Sequence, residues 1–240
     1  MSTTAPVALV TGGSRGLGRA LAAGLLDQGW SVVTDARDAD RLADTAATLI
    51  ADHAAGDGER LVALAGDQGD ATHLDALVGA AERLGGPDLV VLNAGDLGPS
   101  PLPSLADIDP LAFGAVLAAN VTAPLRLVQR SLPALRRQHG TVVAITSDAA
   151  AEAYPGWGAY GASKAALEHV ARVLAEEEDG ITVHRIDPGD LRTDMHQAAF
   201  PGEDISDRPL PEVAVPGILA IVNDRRPSGQ RWVAQKEVTP

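Results

Sequence analysis

A tyrosine and a lysine four residues apart, Tyr160 and Lys164, are the first residues of this 240-residue chain whose types and spacing could do chemistry. In a helix this spacing places both side chains on one face. Stabilisation of ~4 kcal/mol, or ~3 pKa units, must favour a phenolate before a tyrosine exchanges protons near neutral pH. A neighbouring ammonium group favours the phenolate, so the pair could act as a general acid or base. By itself this spacing is more typical of an ordinary pair on a helix surface, and the motifs around it must decide.

A glycine-rich segment, residues 11–18, lies between a predicted strand and a predicted helix. Glycines allow a tight turn and a close approach of the backbone to a pyrophosphate at a helix N-terminus. The glycines at Gly12, Gly16 and Gly18 differ in spacing from the dinucleotide fingerprint, and the Gly-Lys-Ser/Thr ending of a triphosphate-binding loop is missing. The segment therefore predicts a dinucleotide site and disfavours hydrolysis of ATP or GTP.

Two further polar residues, Ser147 and Asn120, precede Tyr160 in the chain. Ser147 ends a predicted strand, so its hydroxyl is expected at the same carboxyl edge of the sheet as the glycine-rich segment. Asn120 lies in a predicted helix, where an amide is a mediocre helix former and a surface or capping role is the alternative.

The elements that must position these residues alternate between short β-branched runs and longer stretches with apolar residues at helical spacing. This rhythm predicts a doubly wound α/β fold with a parallel sheet, helices on both faces and ligands at the carboxyl ends of the strands. We predict one domain over residues 1–240. The predicted strands are 7–11, 31–34, 60–64, 89–92, 142–146, 182–186 and, at the edge, 231–234. The predicted helices are 15–28, 38–53, 74–84, 113–135 and 160–178.

The composition excludes several classes of protein. The absence of Cys excludes disulfides, thiolate nucleophiles and Cys-ligated metals, and the six His show no paired ligand spacing, so no metal site is expected. The net charge of −13 disfavours nucleic acid and anionic lipid as partners. The consecutive apolar runs have only strand length, and residues 1–6 do not resemble a secretory signal, so we expect a cytoplasmic protein without a membrane segment.

The motifs together resemble those of the short-chain dehydrogenase/reductase family, in its single-domain branch. The resemblance covers nearly the whole chain. The residues that carry the resemblance are 11–18, Asn93-Ala94-Gly95, the set Asn120, Ser147, Tyr160 and Lys164, and Pro188-Gly189 with Thr193. The resemblance implies a Rossmann-like fold and hydride transfer between a nicotinamide cofactor and a carbonyl or alcohol.

The resemblance also implies a role for each residue. Tyr160 would be the general acid or base, and Ser147 would hydrogen-bond the substrate oxygen. Lys164 would hold the ribose hydroxyls and lower the pKa of Tyr160, and Asn120 would position a water in a proton relay. For Asn93 a hydrogen bond that braces the sheet is the alternative. The expected cofactor residues are Gly12, Ser14, Arg15, Gly16, Leu17, Gly18, Arg37, Asp67, Asn93, Ala94, Gly95, Tyr160, Lys164, Pro188, Gly189, Leu191 and Thr193.

The choice of cofactor depends on the end of the second strand, Asp35-Ala36-Arg37. An acid there accepts from the adenosine ribose, whereas an arginine pairs with its 2′-phosphate. Aligning Arg37 and Leu42 with an Arg and Leu pattern of the family places Ala36 at the position of an NAD-selective Asp. Arg37 would then face the phosphate, and Arg15 could add a second positive charge. Asp35 is expected on the other face, although a shift of one residue in register would reverse this. NADP(H) is favoured, and NAD(H) is the alternative.

The substrate site is expected where loops leave the carboxyl edge of the sheet. The candidate residues are Asp96, Ala149, Tyr154, Trp157 and Met195, and residues 195–215 are expected to form a lid. Trp157, His196 and Phe200 could shape an apolar pocket for a cyclic or aromatic ketone, although single aromatic residues fill cores as readily. Asp148 stands where the family usually has a small neutral residue, and we expect it to point into solvent.

These observations favour an NADPH-dependent reductase of a small-molecule ketone, or the reverse alcohol dehydrogenase. The alternatives are an NAD-dependent alcohol dehydrogenase and a non-catalytic regulatory protein that binds the cofactor. The presence of Ser147, Tyr160 and Lys164 argues against the regulatory reading. A homo-oligomer, dimer or tetramer, is expected by analogy, although the family's paired glycines at the end of the last strand are missing.

Overall fold

A computed structural model describes residues 5–53, 60–224 and 226–237. Seven parallel strands form one sheet in the order β3-β2-β1-β4-β5-β6-β7. The strands are β1 Val7–Val10, β2 Ser31–Ala36, β3 Leu61–Ala65, β4 Leu89–Leu92, β5 Thr141–Ile145, β6 Thr182–Asp187 and β7 Arg231–Val233. The predicted doubly wound fold is confirmed. One domain over 1–240 stays a prediction, and the ends of that range lie outside the described residues.

The helices cover both faces of the sheet. They are α1 Gly16–Asp27, α2 Ala39–His53, α3 Ala71–Arg83, α4 Pro110–Leu117, α5 Ala123–Gln138, α6 Gly158–Glu177, α7 Asp194–Ala199 and α8 Val215–Asn223. A π-helical turn, Ala118–Thr122, joins α4 to α5. Sequence reasoning missed α7 and α8 because both are short and begin within or beside a proline-rich stretch, where helical periodicity cannot develop.

Alternate residues of each central strand enter opposite apolar layers, because side chains of a strand point to opposite faces. In β1, Ala8 and Val10 pack with residues of α1 and α8, such as Leu21 and Ile218. Val7 and Leu9 pack with residues of α3 and α5, such as Leu77 and Leu127. These two layers explain why the strands read as nearly continuous apolar runs.

Several predicted boundaries shift by a few residues. Strand β2 continues to Ala36, two residues beyond the prediction, because the buried Asp35 is hydrogen-bonded within the fold. Helix α3 begins at Ala71 rather than 74, since the carboxylate of Asp70 caps it by accepting from the backbone N–H of Thr72. The boundaries were predicted from the spacing of apolar residues, which does not reveal the local hydrogen bonds that these short polar side chains form.

One continuous helical stretch, Pro110–Gln138, has the length and the hydropathy, 1.6 in its most apolar window, of a membrane span. This stretch contains no long run of consecutive apolar residues, so its high mean hydropathy is not visible as such a run in the sequence. A third of that window is buried inside the fold. The inner face of the stretch places Leu127, Val128 and Leu135 in the core.

Candidate active site

A cavity of about 830 Å3 opens at the carboxyl edge of the sheet, beside the ends of β1 and β4, where the strand order reverses. This is where open α/β sheets bind ligands. The predicted cofactor residues that line it are Gly12, Ser14, Arg15, Gly16, Leu17, Arg37, Asp67, Asn93, Ala94, Gly95, Tyr160, Lys164, Pro188, Gly189, Leu191 and Thr193. Ser147, Asp96, Trp157 and Met195 also line it, whereas Gly18, Asn120, Ala149 and Tyr154 lie outside its lining.

The glycine-rich turn leads from β1 into α1 and needs glycine for two reasons. Gly12 has a φ of +75°, which glycine adopts without steric cost. A Cβ at Gly18 would lie 2.2 Å from the carbonyl oxygen of Gly12, so Gly18 allows α1 to pack under the turn. Gly18 therefore shapes the site without lining it. No side chain caps α1 at Arg15, which leaves the first N–H groups of the helix available to an anion.

Asp35 is buried directly beneath this turn, with an exposed fraction of 1%. Its Oδ1 accepts from the backbone N–H of Gly12 at 2.8 Å, and its Oδ2 lies 3.1 Å from Nε2 of His73. The side-chain amide of Gln68 donates to both oxygens. The carboxylate is therefore engaged within the protein, and Arg37, two residues later, is exposed on the cavity wall.

Asn93 forms hydrogen bonds that brace the sheet, which was the alternative role expected for it. Its Nδ2 donates to the carbonyl oxygen of Thr11 at 2.8 Å, and its backbone N–H donates to the Thr11 hydroxyl at 2.9 Å. These bonds tie the end of β4 to the end of β1. Asn93 also lines the cavity, so the two expected roles are compatible.

Tyr160 and Lys164 lie side by side in the first turns of α6, with exposed fractions of 9% and 3%. The ammonium of Lys164 lies 5.5 Å from the centre of the Tyr160 ring and donates to the carbonyl oxygen of Ile145 at 2.9 Å. The pair is therefore buried in the site, and the alternative of an ordinary surface pair is wrong.

Burial shifts the pKa values of both members of this pair. Burial lowers the pKa of Lys164 to about 8. Burial also raises the pKa of Tyr160 well above its ordinary value, and the negative charges of Asp187 and Asp148 raise it further. Desolvation is the largest cause of this rise because it disfavours the charged phenolate. The lowering of the Tyr160 pKa by Lys164 stays a prediction.

Ser147 follows β5, and its side chain is bound to the next residue. Its hydroxyl donates to Oδ1 of Asp148 at 2.9 Å, while Oδ2 of Asp148 accepts from the hydroxyl of Tyr154 at 2.9 Å. Asp148 is exposed but lines the cavity beside Ser147. The expectation that Asp148 points away into solvent is therefore wrong, because two hydroxyl donors hold its carboxylate at the site.

Asn120 lies in the π-helical turn, with an exposed fraction of 1%, so a surface or capping role is wrong. Its side-chain oxygen accepts from the backbone N–H of Asp96 at 2.7 Å. Its side-chain nitrogen donates to the carbonyl oxygen of Asp96 and to the hydroxyl of Ser163, each at 2.8 Å. Asn120 therefore joins the loop after β4 to α6, directly behind the cavity.

The sequence pattern of the family described as short chain dehydrogenase matches residues 6–204. This chain belongs to that family. It is similar to sepiapterin reductase of Rattus norvegicus, with 35% identity over 204 residues that cover 80% of this chain and 77% of the relative. It is also similar to the rhamnolipids biosynthesis 3-oxoacyl-acyl-carrier-protein reductase of Pseudomonas aeruginosa, with 39% identity over 198 residues that cover 76% of this chain and 72% of the relative.

Among solved structures, a short chain dehydrogenase of Shigella flexneri complexed with NADP is similar to this chain. Its TM-score is 0.88 at 29% identity, and the match covers 97% of this chain and 98% of that chain. These similarities confirm the family, the Rossmann-like fold and the class of enzyme, an oxidoreductase, that the motifs predicted.

Sequence reasoning missed a third cation at the entrance to the cavity of this short-chain dehydrogenase. Arg41, in the first turn of α2, lines the cavity with Arg15 and Arg37. Oδ2 of Asp194, on α7, lies 2.5 Å from a guanidinium nitrogen of Arg15 and 3.3 Å from one of Arg41. The signal in the sequence is the spacing of Arg37 and Arg41, four residues apart.

A second group that sequence reasoning missed lies behind Ser147. Arg231, on the edge strand β7, donates from Nε to Glu168 at 2.9 Å. Its Nη2 donates to Asp187 at 3.1 Å and to the backbone carbonyl of Ser147 at 3.2 Å. In the sequence these groups are visible only as separate charged residues, Glu168, Asp187 and Arg231, and the fold brings them together.

The predicted lid, residues 195–215, divides into two parts. Its first part, in α7, brings Met195 and His196 to the cavity wall. Its last part is buried, and Ala214 and Val215 belong to the core layer that contains α1. The lid stays a prediction, and the residues of this segment that line the cavity lie in α7, whereas Ala214 and Val215 help to cover the sheet.

The aromatic residues near the lid meet around Trp157. The centre of its ring system lies 5.8 Å from that of Tyr160 and 6.0 Å from that of Phe200. Phe200 in turn contacts His196, with ring centres 5.0 Å apart. Trp157 and His196 line the cavity, so this cluster supplies an apolar wall close to Tyr160.

Proposed function

We propose that this short-chain dehydrogenase is an NADPH-dependent oxidoreductase that reduces a small-molecule ketone to an alcohol, or catalyses the reverse reaction. One observation carries the proposal. Ser147, Tyr160 and Lys164 line the same cavity as the glycine-rich turn, so the groups for proton transfer and for cofactor binding share one space.

The residues of the cavity fit a nicotinamide dinucleotide. The turn at Gly12 and the uncapped N-terminus of α1 form a cradle for a pyrophosphate, which a Cβ at Gly18 would disrupt. Lys164 would bind the ribose hydroxyls. When bound, the nicotinamide supplies or accepts the hydride.

The proton steps belong to residues of this chain. Tyr160 would donate its phenolic proton to the carbonyl oxygen during reduction and take it back during oxidation. The hydroxyl of Ser147 would stabilise the negative charge that develops on the same oxygen. To do so it must turn away from Asp148, to which it donates in this structure.

Asn120 has a different place in this proposal from the one first expected. Asp96 and Ser163 use its side-chain groups, and Asn120 lies outside the cavity lining. We therefore assign Asn120 a positioning role for the loop at Asp96 and for α6. Its part in a proton relay stays a prediction.

Three arginines support NADPH over NADH. Arg15, Arg37 and Arg41 line the end of the cavity next to β2, where an adenosine 2′-phosphate would lie. Asp35, the acid that could instead select NADH, is held under the turn by Gly12 and His73. The similar protein of Shigella flexneri is complexed with NADP, which agrees with this choice.

The test is a fluorescence titration with NADPH and NADH, followed by turnover against a panel of ketones and diketones. We expect tighter binding of NADPH and its oxidation by at least one ketone. In Tyr160→Phe we expect unchanged cofactor affinity and a loss of turnover. Tighter binding of NADH would favour the alternative alcohol dehydrogenase, binding without any turnover would favour the regulatory alternative, and a fully active Tyr160→Phe variant would remove Tyr160 as the acid.

The predicted homo-oligomer and cytoplasmic location stay predictions. Light scattering of the purified protein tests the first, and fractionation of the source cells tests the second.

A further inference from the structure

We propose that Asp148 is a specificity-determining residue that selects carbonyl substrates carrying a cationic nitrogen a few bonds from the carbonyl. The inference rests on the proposed reduction and names the chemical class of its substrate. It starts from a carboxylate that stands immediately after Ser147 and lines the same cavity.

The hydrogen bonds of Asp148 place the charge where a substrate must pass. Oδ1 accepts from the hydroxyl of Ser147 at 2.9 Å and from the backbone N–H of Ala149 at 2.8 Å. Oδ2 accepts from the hydroxyl of Tyr154 at 2.9 Å. All three donors are neutral, so they orient the carboxylate without neutralising its charge.

Two nearby acids of the cavity wall have cationic partners. Oδ2 of Asp187 lies 3.1 Å from Nη2 of Arg231, and that of Asp190 lies 3.6 Å from Nε of Arg208. Across residues 5–53, 60–224 and 226–237, Asp148 forms no ion pair. A cationic ligand would meet an oriented, uncompensated carboxylate there, whereas an anionic ligand would be repelled.

The distances limit how far the cation can be from the reacting carbonyl. Oδ1 of Asp148 and the proposed position of the substrate oxygen both lie within one hydrogen bond, ~2.8 Å, of the Ser147 hydroxyl. The two oxygens are therefore at most ~6 Å apart. A cation bound to Asp148 consequently belongs to a short substituent of the ketone.

The apolar wall of the cavity indicates which uncharged group a test substrate should carry. Trp157 lines the cavity and stacks edge to face with Tyr160, so a phenyl group on the other side of the carbonyl has an aromatic surface to contact. Three phenyl ketones share the body C6H5–CO–CH2–CH2 and differ in the charge of the terminal group. They are 3-(dimethylamino)propiophenone, which is cationic, 4-methyl-1-phenylpentan-1-one, which is neutral, and 3-benzoylpropanoate, which is anionic.

The experiment measures kcat/KM for the three ketones with NADPH in the wild type, Asp148→Asn and Glu152→Gln. Glu152 lies on the same loop and is exposed, so its variant makes the same change in net charge away from the cavity. We expect the wild type and Glu152→Gln to prefer the cationic ketone to the neutral one by about fivefold or more, with the anion poorest. We expect this ratio to approach one in Asp148→Asn.

A second variant, Tyr154→Phe, protects the test against misfolding of Asp148→Asn. It removes a donor to Oδ2 and leaves the charge, so it should keep or increase the preference for the cation. A wild-type ratio near one, or equal losses in Asp148→Asn and Glu152→Gln, would overturn the inference and leave the proposed reductase standing. If no ketone is turned over, the proposed function is contradicted independently of this inference. The charge preference is then measured from the dissociation constants of the three ketones by tryptophan fluorescence. Equal affinities would overturn the inference.

Discussion

Nη2 of Arg231, on the edge strand β7, donates to the backbone carbonyl oxygen of Ser147 at 3.2 Å, across 84 residues of sequence. The same guanidinium binds Glu168 and Asp187, so a strand remote from the glycine-rich turn holds the backbone of the residue that we propose to polarise the substrate.

We expect Arg231→Met to lower kcat by about tenfold or more while the dissociation constant of NADPH changes little, because a 1 Å displacement of a reacting group can cost up to about a hundredfold in rate. Glu168 and Asp187 would lose a partner, and we expect a loss of about 1–3 kcal/mol in the free energy of unfolding. Arg231→Lys should recover part of kcat. Arg136→Met, which removes an exposed ion pair with Glu178, is the control. Equal effects on kcat in both variants would contradict the positioning role.

Arg37→Ala should weaken NADPH binding by about tenfold or more and leave NADH binding unchanged, since a charge-assisted bond to a phosphate contributes about 1.5–3 kcal/mol. Arg41→Ala should act in the same direction. Arg19→Ala removes an exposed arginine of α1 outside the cavity and should change neither affinity. Isothermal titration of the four proteins with both cofactors measures this, and equal losses for NADPH and NADH would show that the arginines do not select the 2′-phosphate.

The burial of Lys164 predicts a dependence of stability on pH. Its pKa falls from 10.5 to about 8 in the folded state, so between these values the unfolded chain binds more protons, and stability rises with pH across this window. Below pH 8 the penalty, about 3 kcal/mol, applies in full.

We therefore expect Lys164→Met to raise Tm at neutral pH by about 6–12 °C, with a smaller gain near pH 11, and to abolish turnover. Lys236→Met, at an exposed position, is the matched control and should leave both quantities unchanged. Differential scanning calorimetry at the two pH values makes the measurement. A lower Tm for Lys164→Met at neutral pH would mean that its bond to Ile145 outweighs the cost of burial.

The acidic neighbours of Tyr160 predict the pH dependence of alcohol oxidation. Burial, Asp187 and Asp148 all raise the pKa of Tyr160, and oxidation needs the phenolate as base, so the rate should rise with pH toward the alkaline limit. Asp148→Asn removes one of these charges and should move the profile to lower pH, whereas Glu152→Gln should not. If the pH profile of oxidation is not shifted in Asp148→Asn, the rise in rate with pH is due to the titration of another group.

Local features of the chain were sufficient to predict much of the fold. Strand β4 was predicted at its observed bounds because a short, wholly apolar run between turns has few other solutions in an α/β chain. The glycine-rich turn was recognised from its glycines between a strand and a helix, and Tyr160 and Lys164 were singled out by their spacing together with the family resemblance. Helices α7 and α8 were missed because segments of six and nine residues show too little periodicity.

What the sequence by itself determined is therefore the alternation of strands and helices and the edge of the sheet at which Ser147 and Tyr160 would meet, since these follow from residue type and short-range spacing. Only the tertiary structure decided how each polar group is used. Asp35 is held under Gly12, Asp148 is turned toward Ser147, and Tyr160 has a raised pKa. Each outcome depends on neighbours or burial that the folded chain supplies, and the free energy of a charge depends on its surroundings rather than on its place in the sequence.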